Sequence, residues 1–253
     1  MLFRSLHANE ERIKSRVPNQ LRAPVFGFLG KHYPNYRWMP QVVRGRSTFR
    51  ALSKNLVDAY TDSMTILNHE ERLSMVRNSY RLRAGDASAQ TLFANYAQSF
   101  SGCEPLDLMQ HIDFHTWLPG DINTKVDRAS MAHSLEAREP LLDHKLIEFA
   151  ATIPQQVKLS VSEGKIPLKQ ITAKQVPRST VYRAKQGFSV PVDEWMRGPL
   201  AIKLKANLQA SQVSDVLNTS AILNILESHT NGHQNRDRAL WTVFALTEFL
   251  VRQ

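Results

Sequence analysis

No stretch of this chain alternates apolar and polar residues, or gathers β-branched residues, over a length that would build a sheet. Helical spacing recurs instead. Leu52, Leu56 and Tyr60 fall on one face of a helix. An apolar stripe marks a last helix and consists of Leu240, Trp241, Phe244, Ala245 and Leu250. The sequence therefore predicts a mostly α protein without internal repeats.

Composition narrows the class of protein. With 253 residues, 42% of them hydrophobic, the chain is long enough to bury a core and too apolar to be wholly disordered. The single cysteine, Cys103, excludes an intramolecular disulfide framework and suits a reducing compartment. No apolar run approaches the roughly 18 residues that a membrane helix needs, and the first residues lack the apolar region of a signal peptide. We expect a soluble, cytoplasmic protein.

The net charge of +9 is concentrated at the N-terminus, where residues 1–50 hold ten Lys and Arg but two Asp and Glu. Four prolines in this segment predict short helical turns and loops. We divide the chain into a basic, proline-rich arm, residues 1–50, and a helical domain, residues 51–253. Residues 101–150 are acidic and precede a basic stretch, an arrangement that suggests a site for phosphates or a metal-bound anion.

A catalytic nucleotide-binding domain usually has a parallel sheet with a glycine-rich loop after a strand. The ten glycines of this chain form no such loop, neither Gly-x-Gly-x-x-Gly nor Gly-x-x-x-x-Gly-Lys. The sequence also lacks a paired cysteine motif and His-Glu-x-x-His, which argues against zinc. We predict no metal-ligating residues in this chain.

The first distinctive stretch opens with a Pro-Gly turn, after which Asp121 is a good N-cap for the following helix. On that helix Lys125 and Arg128 share one face. The adjacent charges of Asp127 and Arg128 point to different faces. This pattern fits a solvated helix with ordinary charges as well as the wall of a binding site.

The second stretch is a short corner between two helices, where Pro140 is expected to end the first. Four charged or capping groups crowd this corner: Glu136, Arg138, Glu139 and Asp143. Asp143 caps the next helix, which we expect to turn four apolar residues inward: Leu146, Ile147, Ala150 and Ala151. An arginine held by carboxylates in such a corner is more often structural than catalytic, although it would still shape a pocket wall.

The third stretch carries Arg183 and Lys185 in a loop that Gly187 and Pro191 close. Cations on such a loop can approach a phosphate closely. A lysine there can neutralise the charge that develops on a leaving pyrophosphate. A basic surface loop explains the same residues equally well.

Together the three stretches, LPGDINTKVDRASMAHSLEAREPLLDHKLIEFA, EGKIPLK and YRAKQGFSVPVDEWMRGPL, resemble the C-terminal part of the synthetase domain of class B, glutamine-hydrolysing asparagine synthetases. The segments RVPNQLRAPVFGFLGKHYP and DAYTDSMTIL are similar to one subgroup, the asparagine-synthetase-like amidotransferases associated with exosortase A systems. With that subgroup the resemblance covers nearly the whole chain.

The resemblance implies a fold and an activity. The fold would be the helical C-terminal portion of an α/β, ATP-pyrophosphatase-like (adenine nucleotide alpha hydrolase-like) synthetase domain, with the nucleotide-binding sheet largely missing. In the complete family protein, ATP and Mg²⁺ activate a carboxylate as an acyl-adenylate, and ammonia released from glutamine by an N-terminal glutaminase domain attacks it. The family's SGGxDS and GDGGDE-type loops are not present here, nor is the glutaminase.

The resemblance also assigns roles to residues. Lys185 matches the lysine that contacts the ATP phosphates, and it is the leading catalytic candidate, followed by Glu136, which matches an acidic position near the acceptor. The candidates for cofactor binding are Lys185, Arg183, Asp127, Arg128 and Arg138. Lys165 and Lys169 of the EGK block are expected to support the site from behind. Glu139 and Ala184 depart from the hydrophobic residue and the proline usual at their positions.

The leading hypothesis is a C-terminal portion of an ATP-dependent amidotransferase that is inactive alone and needs the missing N-terminal half, on the same gene or in trans. A catalytically dead helical interaction module is the alternative. The aromatic residues among the arginines of the arm could stack nucleic-acid bases, but we favour packing against the missing half. We expect no membrane partner and a small-molecule carboxylate substrate. The lost sheet should expose an apolar patch, which predicts self-association or poor solubility.

Overall fold

The computed structural model describes residues 10–11, 13–33, 46–85, 88–100, 104–160, 162–183 and 190–253. The described residues contain helices and no strand, apart from two isolated β-bridges, Val76 with Leu217 and Leu159 with Gly164. The prediction of a mostly α chain is confirmed. No helix among these residues is long and apolar enough to cross a membrane.

The chain divides into two compact units, of which the first comprises residues 1–64 and 89–184. Its α-helices are α1 (Asn19–His32), α2 (Arg46–Ser53), α3 (Leu56–Met64), α6 (Ala89–Gln98), α7 (Pro105–His115), α8 (Thr124–Met131), α9 (His144–Thr152), α10 (Gln155–Lys158), α11 (Ile166–Thr172) and α12 (Arg178–Val181). A π-helix, Leu118–Asn123, precedes α8, and a 3₁₀ turn, Pro140–Leu142, precedes α9.

The second unit comprises residues 65–88 and 185–253. Its helices are α4 (His69–Met75), α5 (Asn78–Ala84), α13 (Val192–Arg197), α14 (Pro199–Asn207), α15 (Ser211–Val216), α16 (Thr219–Thr230) and α17 (Asp237–Val251). Residues 65–88 therefore pack in the same unit as residues 185–253, although 96 residues separate the two segments in the sequence. The boundary that we predicted at residue 50 stays a prediction.

The prediction of only short turns among the N-terminal prolines is wrong. Helix α1 runs for 14 residues with Pro24 inside it. The helix packs closely against α2, where a β-carbon added to Gly30 would lie 2.8 Å from the Cγ atom of Arg50. Phe49 of α2 contacts the rings of Phe26 and Tyr33 at centroid distances of 6.2 and 5.1 Å. Tertiary packing of this kind offsets the loss of the backbone hydrogen bond that a proline removes from a helix.

The core of the first unit lies between α3, α6 and α7. Its buried side chains are Tyr60, Phe93, Leu106, Met109, Ile112 and Leu159. The start of α7 is fixed by Gln155, whose buried side-chain oxygen accepts a hydrogen bond from the Leu106 amide at 2.9 Å. Lys158 pairs with Asp107 at 2.9 Å. The core therefore anchors the segment 155–159, from which the EGK block continues.

The core of the second unit is larger and is formed by α14, α16 and α17 with Met75 of α4 and Met196 of α13. Met196, Leu204, Val213 and Leu226 are fully buried in it. The capping box at Asn68, in which Asn68 and Glu71 exchange side-chain and backbone hydrogen bonds, starts α4. The apolar stripe predicted for the last helix is confirmed in part, since Leu240 and Phe244 are buried but Trp241 and Ala245 are exposed.

Candidate functional site

The first motif stretch begins as a π-helix rather than a capped α-helix. Asp121 lies inside the π-helix Leu118–Asn123, so the prediction that it is the N-cap of α8 is wrong. The hydroxyl of Thr124 donates to the carbonyl of Pro119 at 2.7 Å, across the wide turn. Asp121 instead approaches Lys125 at 3.8 Å, with both side chains exposed. Single π-turns are rare and often occur at functional sites.

Helix α8 carries two of the predicted cofactor-binding residues, Asp127 and Arg128. Both are exposed, and neither side chain makes a hydrogen bond or ion pair with another described residue. The two charges are consequently available to groups outside the described part of the chain. Exposure alone is equally typical of a solvated helix face.

Helix α8 ends at Met131, nine residues before the predicted stop at Pro140. Ser134 adopts a left-handed conformation with φ of 58°, and the Leu135 amide donates to the carbonyl of Ser130 at 3.0 Å. This geometry is that of a Schellman C-terminus, with Ser134 where glycine is common. Every residue from Met131 to Leu141 is exposed.

The structure brings together two of the site candidates in this corner, Glu136 and Arg138. The guanidinium of Arg138 donates two hydrogen bonds to the Glu136 carboxylate, at 2.9 and 3.3 Å. Their side chains are 68% and 83% exposed, respectively, so the pair contributes at most about 1 kcal/mol to stability. The pair therefore contributes little to the stability of the fold, but it orients the Arg138 side chain at the surface.

Asp143 caps α9 as predicted, since its carboxylate accepts from the amides of Lys145 and Leu146 at 3.0 and 3.2 Å. The prediction that α9 turns its apolar residues inward is wrong. Leu146, Ala150 and Ala151 are exposed and Ile147 is half-buried. No described element covers this side of the helix, although its sequence has the periodicity of a buried one.

Residues 117–149, which we call the motif segment, contain six large exposed apolar side chains. We call them the outer apolar set: Trp117, Met131, Leu135, Leu141, Leu146 and Phe149. Leu135 and Phe149 are each 64% exposed. Soluble proteins expose isolated apolar residues routinely. Six large ones within residues 117–149 make this segment a candidate surface for binding another protein element.

The EGK block lies beside the core of the first unit. Lys165 has a left-handed backbone, with φ of 61°, at the N-cap of α11, and its side chain is exposed. Lys169 forms an ion pair with Glu163 at 3.1 Å. The ammonium of Lys169 also lies 5.3 Å from the centroid of the Tyr182 ring. Tyr182 was not among the residues predicted from the sequence. Its position directly before Arg183, a predicted cofactor-binding residue, could have indicated it.

Arg183 is exposed, and its guanidinium has no hydrogen-bond or ion-pair partner among the described residues. Lys185, the leading catalytic candidate, belongs to residues 184–189, which lie outside the described part of the chain. The structure therefore gives positions for Glu136, Asp127, Arg128, Arg138 and Arg183, and joins Glu136 to Arg138 by direct contact.

The described residues do not assemble a metal site. Among them, no group of three or more His, Cys, Asp or Glu side chains lies close enough to hold a metal ion. A shallow groove of about 540 Å³ exists in the second unit, between α14 and α17. Lys203 and Arg252 line this groove, and both pair with Glu248. The groove therefore does not indicate a site for an anionic ligand.

Comparison with known proteins places these motifs in one family. The asparagine synthase family model matches residues 5–251. The chain belongs to the asparagine synthase family.

Two curated relatives illustrate the match. Asparagine synthetase [glutamine-hydrolyzing] 1 of Bacillus subtilis (strain 168) is 28% identical over 205 residues, which are 81% of this chain and 32% of the relative. A Mycobacterium tuberculosis (strain ATCC 25618 / H37Rv) protein named provisionally as a glutamine-hydrolysing asparagine synthetase is 37% identical over 149 residues, 58% of this chain and 23% of that protein. The chain thus spans a third or less of these relatives. No solved structure matches it.

Proposed function

We propose that this chain supplies one part of an ATP-dependent, glutamine-hydrolysing amidotransferase of the asparagine synthetase type. A carboxylate oxygen of the acceptor would attack the α-phosphorus of ATP, forming an acyl-adenylate and releasing pyrophosphate. Ammonia from glutamine would then attack the acyl carbon, forming the amide and releasing AMP. The family match over residues 5–251 and the similarity to glutamine-hydrolysing asparagine synthetases support this proposal.

The observation that carries the proposal is the outward direction of the motif segment. Asp127, Arg128, Glu136 and Arg138 are all exposed, and the outer apolar set lies on the same segment. A helical segment that exposes both its family motif residues and large apolar side chains is built to be covered by another element. The chain spans 32% of the Bacillus subtilis relative, which leaves ample sequence in such a protein for that element.

The cationic residues suit a polyphosphate. Arg128 and Arg183 have no carboxylate partner among the described residues, so each can pair with phosphate oxygens without losing a contact. Lys185 would neutralise charge on the leaving pyrophosphate. Glu136 would hold Arg138 beside the acceptor, because its two hydrogen bonds fix the orientation of the Arg138 guanidinium. ATP would supply the adenylyl group.

The described residues form no cluster of carboxylates that could hold Mg²⁺ by itself. Asp127 and Glu136 are the acidic candidates, and no cluster of three metal-ligating groups forms among the described residues. Magnesium prefers carboxylates together with substrate phosphates. The remaining ligands of the metal would therefore come from the ATP phosphates and from elsewhere in the assembled protein.

The proposal predicts that residues 1–253 alone release no pyrophosphate. The family's SGGxDS and GDGGDE-type loops and its glutaminase would come from a second region, on the same polypeptide or a separate one. The outer apolar set is the surface of this chain that we expect to pack against that region.

Co-expression tests the proposal. The chain would be purified alone and with a polypeptide carrying the glutaminase and nucleotide-loop regions, taken from the same genome or from the Bacillus subtilis relative. Pyrophosphate release would be measured with ATP, glutamine, Mg²⁺ and a panel of carboxylates that includes aspartate. We expect no release from the chain alone, and release from the complex that depends on both ATP and the carboxylate.

Arg183→Met should reduce release by the complex, and Arg238→Met, at an exposed position on α17, serves as the matched control. A stable complex without ATP-dependent release would contradict the proposal. That outcome would favour the alternative of a helical interaction module, because the outer apolar set would then bind a partner without catalysis.

A further inference from the structure

Tyr182 lies in contact with two cations. The Cζ atom of Arg178 is 4.4 Å from the centroid of the Tyr182 ring, and Nζ of Lys169 is 5.3 Å from it. Both distances are within the range of about 6 Å at which the ring quadrupole attracts a cation. The ring therefore lies where two positively charged side chains converge.

The contact with Lys169 connects separate parts of the chain. Lys169 belongs to α11, and its ammonium also pairs with Glu163 at 3.1 Å. Glu163 is held by a reciprocal turn, in which its amide donates to the Ser160 hydroxyl at 3.1 Å and its carbonyl accepts from the Ser160 amide at 2.7 Å. Ser160 follows Leu159, a core residue that is 5% exposed. The ring of Tyr182 is thus linked to the core of the first unit.

The contact with Arg178 is local and has a different electrostatic character. Tyr182 is the C-cap of α12, and its amide donates to the carbonyl of Arg178 at 3.0 Å. Glu163 balances the charge of Lys169, whereas Arg178 has no carboxylate partner among the described residues. The positive charge of Arg178 therefore lies against the ring without a balancing carboxylate among the described residues.

We infer that Tyr182 is a positioning residue for Arg183, a role that rests on the proposed function. Arg183 follows Tyr182 directly, is exposed, and has no side-chain partner among the described residues to direct it. The direction of its side chain is set by the backbone at Tyr182, which the ring fixes through Lys169 and Arg178. The EGK block thereby acts on phosphate binding through the aromatic ring that Lys169 contacts.

The first test detects the contact in the chain alone. With ¹³Cε-labelled lysines, the ring current of Tyr182 should shift the Lys169 ε-methylene protons upfield. Tyr182→Phe should keep that shift and Tyr182→Leu should abolish it. Tyr80→Leu is the matched control, because Tyr80 forms a similar contact with Arg83, at 5.9 Å, on helix α5 of the other unit.

The second test measures the function of the contact in the complex of chain and complementary region. Tyr182→Leu should raise the KM for ATP about two- to fivefold, the factor that corresponds to one exposed cation–π contact. The kcat should change less than the KM, since the group lost is one that positions a binding residue. Tyr182→Phe and Tyr80→Leu should both match the wild type.

The outcomes separate the two proposals. If the wild-type complex releases no pyrophosphate, the proposed function fails and the positioning role fails with it. If the wild type is active and Tyr182→Leu has an unchanged KM for ATP, only the positioning role is overturned. Equal defects in Tyr182→Phe and Tyr182→Leu would assign the effect to the hydroxyl and would also overturn it, as would the absence of a ring-current shift in the wild type.

Discussion

The backbone amide of Arg236 donates a hydrogen bond to Nδ1 of His229 at 3.1 Å. His229 is fully buried. Since its Nδ1 accepts, the ring proton lies on Nε2, which is 3.4 Å from the carbonyl oxygen of Asp193. The carbonyl of His229 also accepts from the guanidinium of Arg197. One buried histidine therefore connects α13, α16 and the start of α17.

Replacing this histidine should destabilise the second unit. His229→Leu removes the acceptor of the Arg236 amide. Because Arg236 is half-buried, the loss should cost about 1 kcal/mol, the lower end of the range for a buried donor without a partner. We expect a loss of that size in the free energy of unfolding, measured by urea denaturation. His233→Leu, at an exposed position nearby, should change it by less than about 0.5 kcal/mol. Equal stability of the two variants would show that the His229 contacts contribute nothing.

Tyr60 gives a parallel prediction for the first unit. Its hydroxyl donates to Oδ1 of Asp113 at 2.5 Å, and both residues are buried. Tyr60→Phe takes this donor away from the buried Asp113 carboxyl group and should lower the free energy of unfolding by about 1–3 kcal/mol. Tyr96→Phe is the control, because the Tyr96 hydroxyl makes no such bond to a described residue. A Tyr60→Phe variant as stable as the control would contradict this role.

The outer apolar set predicts self-association of the isolated chain. Replacing Leu135 and Phe149 together by Glu should reduce the associated fraction seen by sedimentation velocity. Because both side chains are 64% exposed, stability should change by less than about 1 kcal/mol. Ile202→Glu, 74% exposed on α14, is the matched control and should leave association unchanged. If that control alone abolishes association, the self-associating surface lies on the second unit.

The stability of the α6–α7 contact should depend on pH. His111 stacks on Phe100 at a centroid distance of 4.4 Å, and burial, together with the nearby charge of His115, lowers the pKa of His111 below its ordinary value of 6.5. The carbonyl of Tyr96, on the facing helix, opposes that shift.

Because the unfolded chain then binds this proton more tightly than the folded chain, the free energy of unfolding falls as the pH drops below about 6.5. Once the pH is below the folded pKa, this contribution is fully lost. His111→Phe should show a shallower decline than the wild type between pH 7.5 and 5.5 in urea denaturation. Identical slopes for the two proteins would contradict the assignment to His111.

The sequence by itself determined the helical class and the family. The absence of alternating runs predicted that there is no sheet, and the described residues contain none. The motif stretches identified the asparagine synthase family. Both predictions succeed because local spacing and short motifs are properties of contiguous residues. The Asp143 cap could be predicted for the same reason, since a cap depends on residues two and three positions away.

Only the tertiary structure decided which helix faces are covered. The periodicity of α9 predicted a buried face, but burial depends on a neighbouring element, and no described element covers Leu146 or Ala150. The contact of Lys169 with Tyr182 joins residues 13 positions apart, and the pairing of His229 with the start of α17 depends on a loop reversal. Local patterns set what a segment can form, whereas packing between distant segments sets which of its side chains meet.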